Sequence, residues 1–255
     1  KNWRDKVTYL LTPDIQSFGD WVEQLIAEST GKEKKGILPV VKESLGDPMF
    51  YFKDRLFIVM SLPLAESSWM GRINNLILSG QPVIHLELQD YYDIGGQFFL
   101  WELATAIAGY RLEVNPFNQP NVEISKKITR QIIKKYSEGT PIDEPEPLVK
   151  RDEMIVYGDI EAYDPYEALR VFLSPCHPGD YIAIQAYVNP NRETECLLLR
   201  LCTVLRDSFQ VATTVGYGPR FLHSTGQLHK GDAGNGYFIQ FTSEPQIDIP
   251  IPDEI

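Results

Sequence analysis

Short runs of buried-strand composition alternate with amphipathic helical runs along nearly the whole chain, and no other feature restricts the fold so tightly. Ile37 to Val40, Leu56 to Leu62 and Pro82 to Leu88 read as strands. Phe18 to Lys35, Ser68 to Leu78 and Gln97 to Ala108 carry apolar residues at helical spacing. The first of these helices gathers Phe18, Trp21, Val22, Leu25 and Ile26 on one face, and Lys32, Lys34 and Lys35 suit the negative end of its dipole. Strands joined through helices return to the sheet in the same direction, so the pattern predicts an α/β fold with a mostly parallel sheet.

The alternation breaks once. Ser137 to Pro147 is acidic and rich in proline, which reads as a linker over 138–150 between a first unit, 1–137, and a smaller α/β unit, 151–255. In the second unit, strands are expected near Met154 to Tyr157, at Tyr181 to Val188 and at Phe209 to Val215. Helices are expected near Pro165 to Leu173 and at Arg192 to Leu205.

A net charge of −11 argues against nucleic acid as a partner, because a phosphate backbone needs a basic face. A small anion is still admissible, since it needs only a local nest of N–H groups and one or two cations. No run approaches the ~20 apolar residues of a membrane span, and the start has no signal-peptide core, so no membrane partner is expected. The three cysteines, Cys176, Cys196 and Cys202, have no metal-ligand spacing, and their odd number argues against a disulfide framework; a reducing cytoplasm fits. The absence of an initial Met and the end at Pro252-Asp253-Glu254-Ile255 suggest a segment of something longer.

Four stretches carry residues with chemical potential. Tyr110 to Val114 alternates as a strand does, Asn115-Pro116 and Gln119-Pro120 punctuate it, and Val122, Ile128, Ile132 and Ile133 follow at roughly helical spacing, so the reading is a strand-to-helix corner. Pro120 fits a first helical turn, Glu123 suits the positive end of the dipole, and Lys126 rides the same helix; a capped surface helix explains all of this. Glu28 falls late in the first helix, where a glutamate ordinarily faces water. His85 lies inside an apolar strand and reads as a packed structural histidine. Thr213 to Gly231 reads as strand, glycine turn and a short helix begun by Pro219, with N–H groups and Arg220 placed where an anion could bind; a tight structural turn is the alternative. His223 and Gln227, four apart, share a face of that helix.

These stretches resemble glucose-6-phosphate isomerases. Phe117, Gln119, Val122, Glu123 and Lys126 match in register a signature of Phe-Asp-Gln, one residue, Gly-Val-Glu and, two residues on, Lys; Asn118 replaces the Asp and Asn121 the Gly. Gln24, four residues before Glu28-Ser29-Thr30-Gly31-Lys32, is similar to a second family segment, and Gly95 to Glu102 resembles the helix before the signature. Thr213 to Gly231 resembles the C-terminal portion of bacterial bifunctional transaldolase/glucose-6-phosphate isomerases. His223-Ser224-Thr225-Gly226-Gln227-Leu228 is similar to the family's ring-opening His segment, although that segment ordinarily precedes the signature Lys.

The resemblance implies a sugar-isomerase (SIS) type three-layer α/β/α sandwich plus the second, smaller α/β unit. It implies interconversion of glucose 6-phosphate and fructose 6-phosphate through a cis-enediol, with Glu28 as proton-transfer base, Lys126 near the ring oxygen and His223 opening the ring. Gln24, Gln119, Arg220 and Gln227 are then expected to bind substrate. One carboxylate can move the proton between C1 and C2, a step to which a positioned base contributes ~10²–10⁴-fold, and the route calls for no metal and no cofactor. The expected partners are a hexose phosphate, an N-terminal isomerase half that carries the phosphate loop, and, in a homodimer, a second copy. Without that half the segment alone is expected to be inactive. The reading from another class is a non-catalytic sugar-phosphate-binding or regulatory module of the same fold, and a structural dimerisation lobe is a third.

Overall fold

The computed structural model describes residues 4–63, 67–141, 145–222, 224–244 and 247. In chain order the first part runs β1 (Lys6–Leu11), α1 (Ser17–Thr30), β2 (Leu38–Val40), β3 (Arg55–Ser61), α2 (Ser67–Leu78), β4 (Val83–Glu87), α3 (Asp93–Leu112) and α4 (Pro120–Ser137). The second runs β5 (Val149–Arg151), β6 (Met154–Val156), α5 (Pro165–Leu173), β7 (Tyr181–Tyr187), α6 (Arg192–Phe209), β8 (Ala212–Tyr217), α7 (Ser224–Gly231) and β9 (Gly236–Thr242). One sheet has the order β2-β1-β3-β4 and another β8-β7-β9, and every pairing in both is parallel; β5 and β6 form a small antiparallel pair. The α/β class with mostly parallel sheets is therefore the observed one. Among the described residues, no helix is long and apolar enough to cross a membrane.

The layers follow from the two-residue period of a strand. Along β3, Phe57 and Val59 face Ile73 and Leu76 of α2, whereas Ile58 and Met60 face Phe18, Val22 and Ile26 of α1 and Trp101 of α3. Helices thus cover both faces of the sheet. In the second sheet, Ile182, Ile184 and Ala186 pack on Leu198, Cys202 and Leu205 of α6, and Tyr181 and Ala183 turn the other way. There they share a cluster with Ala27 of α1, Leu38 and Val40 of β2, and Leu228 of α7, so one core joins the two sheets. Each fully buried side chain of this size contributes roughly 1.5–3 kcal/mol.

Buried charges reinforce the junction. Glu43 receives both guanidinium nitrogens of Arg55 at 3.0 and 3.2 Å and lies 3.7 Å from Arg206 of α6. Arg206 also pairs with Asp207 at 2.7 Å and donates to the carbonyl of Ser44. Lys6 meets Asp5 at 2.9 Å, Asp54 at 3.2 Å and the Gly179 carbonyl at 2.5 Å.

Several boundaries differ from the sequence expectation. Tyr110 to Leu112 is the last turn of α3, ended by Glu113 in the left-handed conformation at φ 57°, so the signature sits at a helix-to-helix corner and not after a strand. Five alternating residues are too short a signal against a helix whose outer face is exposed anyway. Helix α1 stops at Thr30, short of its basic cluster, and α6 runs on to Phe209. Pro219 precedes a single 3₁₀ turn, Arg220–Leu222, before α7 begins.

Candidate functional site

The end of α1, the corner before α4, and α7 meet in one knot. Gly31 caps α1 through its N–H to the Ala27 carbonyl at 3.1 Å, and the chain then turns back along Lys32 to Lys35. Lys32 is fully buried, and its ammonium donates to the carbonyls of Asn115, at 2.8 Å, and Asn118. Burial lowers its pKa, with Glu28 and Glu33 pulling the other way. Lys35 donates to the Leu112 carbonyl at 2.7 Å, one of the carbonyls α3 leaves open at its end, and the Lys34 N–H reaches the Gly231 carbonyl at 2.8 Å. The ammonium groups of Lys32 and Lys35 therefore tie the turn after α1 to the corner between α3 and α4.

Glycine makes the approach close enough. A Cβ on Gly31 would lie 2.2 Å from the Leu228 Cα, and one on Gly231 would lie 2.4 Å from the Gly31 carbonyl oxygen. Neither distance leaves room for a side chain. Gln227 fills the centre of the knot and is wholly buried. Its carbonyl oxygen accepts from the N–H groups of Asn121 at 3.1 Å and Val122 at 3.3 Å. Its amide nitrogen donates to the Gly31 carbonyl and to Asn121 Oδ1, both at 2.8 Å. Pro120 occupies the first helical position of α4, as expected, but Gln119 at the cap makes no side-chain capping bond; Gln227 does that work.

The named candidates fall into two groups. Glu28, half-buried, lies one turn before Gly31, with Gln24 exposed one turn earlier on the same face. Gln119, half-buried, and Lys126, exposed, sit at the start of α4, and Lys126 pairs with Glu123 at 2.7 Å, which lowers the Glu123 pKa. These residues and Gln227 belong to the elements of the knot. Arg220 does not; it lies against the middle of α1, 3.0 Å from Glu23 and 3.9 Å from Asp20. His223 lies outside the described residues. His85 is not packed as expected: it is exposed on the edge strand β4, whose outer face nothing covers among the described residues, although it does hydrogen-bond Ser61 Oγ through Nε2 at 2.7 Å.

Two groups near these elements, Glu23 and His229, are given no role by the sequence reading, and a third, Lys32, plays a different part from the one expected. Glu23 is 5% exposed, and desolvation pushes its carboxyl up to about 7 in spite of the opposing pull of Arg220. A helical wheel could have found it, since Glu23 falls between Gly19, Val22, Ile26 and Ala27 on the buried face. His229 stacks near Tyr181 and Phe221 and bonds Gln185 through Nδ1 at 3.2 Å; burial, with Lys230 adding to it, brings its pKa down to about 4. Lys32 is read in the sequence as a cation at the end of α1, because sequence does not show which carbonyls a turn will bring to it.

Fold and knot together define a parallel-sheet α/β protein in which a carboxylate-bearing helix end and a lysine-bearing helix start are joined through a third helix. No protein-family model matches the chain. Curated relatives named glucose-6-phosphate isomerase are similar to it over about half its length. The protein of Fusobacterium nucleatum is 27% identical over 164 residues, covering 50% of this chain and 37% of the relative. That of Lactiplantibacillus plantarum is 26% identical over 163 residues, covering 49% and 36%. That of Leuconostoc mesenteroides is 27% identical over 169 residues, covering 51% and 38%. The match thus spans little more than a third of the relatives' own length.

Proposed function

We propose that this chain is the C-terminal part of an aldose–ketose isomerase that interconverts glucose 6-phosphate and fructose 6-phosphate in the cytoplasm. The observation that carries the reading is the convergence of Glu28-Ser29-Thr30-Gly31-Lys32, the signature corner and α7 in one knot. The relatives' names support it. In the proposed reaction His223 passes a proton to the ring oxygen as the bond from that oxygen to C1 breaks and the C1 hydroxyl gives its proton to water, which opens the sugar to the aldehyde. Glu28 then removes the proton from C2 of the aldose while the C1 carbonyl oxygen takes a proton from water, giving a cis-enediol. Glu28 returns its proton to C1 as the 2-hydroxyl loses one, which leaves the ketone at C2. Lys126 beside the oxygen offsets the developing charge, and Gln24 and Gln119 hold hydroxyls.

Additional polypeptide belongs to this reading, whether an N-terminal half with the phosphate loop, a fused transaldolase, or a second copy. Its support is the apolar outer surface of two helices: Phe99, Leu103, Ile107 and Tyr110 on α3, and Ile124, Ile128, Ile132 and Ile133 on α4, are between 46% and 80% exposed. Glu28→Gln in the full-length protein tests the chemistry. Turnover of fructose 6-phosphate should fall ~10²–10⁴-fold with sugar-phosphate binding nearly unchanged, and a loss below about tenfold would remove Glu28 from the base role.

A further inference from the structure

Helix geometry leaves the last carbonyls of α1 and the first N–H groups of α4 without partners inside their own helices. Gln227 satisfies groups of both kinds at once, and with Asn121 Oδ1 its amide uses two acceptor and two donor positions. The negative end of one helix is thereby fixed against the positive end of another. Glu28 precedes Gly31 by one turn, and Lys126 follows Val122 by about one turn, so each candidate group rides on a helix end that this one side chain holds. Little else sets the direction of α4: Val122 is its sole buried residue, and the other tie of its first turn, Asn121 Nδ2 to the Lys230 carbonyl at 3.2 Å, runs to α7 as well.

We infer that Gln227 is a positioning residue that sets the separation of Glu28 and Lys126, a role that rests on the isomerase reading. It touches no reacting atom. A misplacement of about 1 Å between groups acting on one substrate can lower the rate ~10²-fold, and a side chain that links the two helix ends controls displacements of that size.

The test compares Gln227→Met and Gln227→Glu with wild type in the full-length protein, assayed well below each unfolding midpoint. Met fills the volume and makes none of the four bonds, whereas Glu keeps the acceptors and loses the donors. The expected result for Met is a ~10²-fold fall in kcat with KM changed less than about threefold, together with lost hydrogen-exchange protection in the peptide from Gln119 to Lys126. Glu should keep that protection and lose kcat by about tenfold, and it serves alone if the Met variant does not fold. A kcat that stays at wild-type level in either folded variant, or protection unchanged in Met, would overturn the positioning role. A wild-type protein without turnover overturns the isomerase reading itself, and the positioning role with it. The two failures are therefore distinct.

Discussion

The two helices that carry the candidate groups are held in different ways. Helix α1 buries Phe18, Val22, Ile26, Ala27 and even the charged Glu23 along its length, so its shaft is part of the core. Helix α4 buries Val122 alone, and beyond its first turn it projects Ile124, Ile128, Ile132 and Ile133 outward. A carboxylate on the first is fixed by packing over several turns; a cation on the second is fixed by what happens at one end. The lesson is that a few hydrogen bonds at a helix start can carry as much positional information as a whole buried face.

The largest expected effect lies where both helices are seated. In Gly31→Ala the new methyl would meet the Leu228 backbone, and the packed knot has no slack, so a loss of about 3 kcal/mol or more is expected in chemical unfolding. A loss under 1 kcal/mol would mean the end of α1 is free to shift, and the contrast with α4 would disappear. Next comes Glu23, which sharpens the picture of the α1 shaft. Its carboxyl ionises near 4.5 in the unfolded chain and near 7 in the fold, so between those values the unfolded state releases a proton that the folded state keeps. This contribution is retained well below pH 4.5 and falls as pH rises through that window, by about 3 kcal/mol in all. Over the same window the buried, neutral His229 works in the opposite sense, gaining stability as pH rises, so the Glu23 effect is read as a difference: from pH 5 to pH 7.5 wild type should lose about 2 kcal/mol relative to Glu23→Gln, whose own stability rises; equal slopes in both would place the titration elsewhere. The smallest effect belongs to the shaft of α4. Ile132→Ala, at a position 46% exposed, should change the stability of this segment by less than about 0.5 kcal/mol, and a larger loss would show the shaft is packed after all.

Periodicity made much of the fold legible. Helix α5 runs from Pro165 to Leu173 as the sequence predicts, with Asp164 capping it through the N–H groups of Tyr166 and Glu167. Strands β3 and β4 and helix α2 fall within a residue of expectation, because short apolar runs beside strong helical patterns leave little choice. Strands β1 and β9 were not anticipated. β1 lies at the heart of its sheet and buries Lys6 and Thr8 among its apolar residues, so its sequence lacks a clean period that polar residues would normally mark. The candidate site was legible as three segments but not as an arrangement. Gln227 reads as a substrate amide until its four partners are seen, and three of those are backbone groups that any sequence would supply. Arg220 reads as an anion ligand until Glu23, far away in the chain, is found beneath it.

The core shared between the sheets bears on how the molecule comes apart. Ala27, Leu38 and Val40 pack with Tyr181, Ala183, Ala212 and Leu228, and Glu43 lies between the guanidinium groups of Arg55 and Arg206. Neither sheet can melt without exposing apolar surface and stranding a charge of the other, so unfolding should be a single cooperative event. The acidic, proline-rich stretch between α4 and β5 reads in the sequence as a boundary between units, yet the described residues on either side of it share one core. Two polypeptides cut there would complement each other as fragments, because what makes them one body is the interior they share.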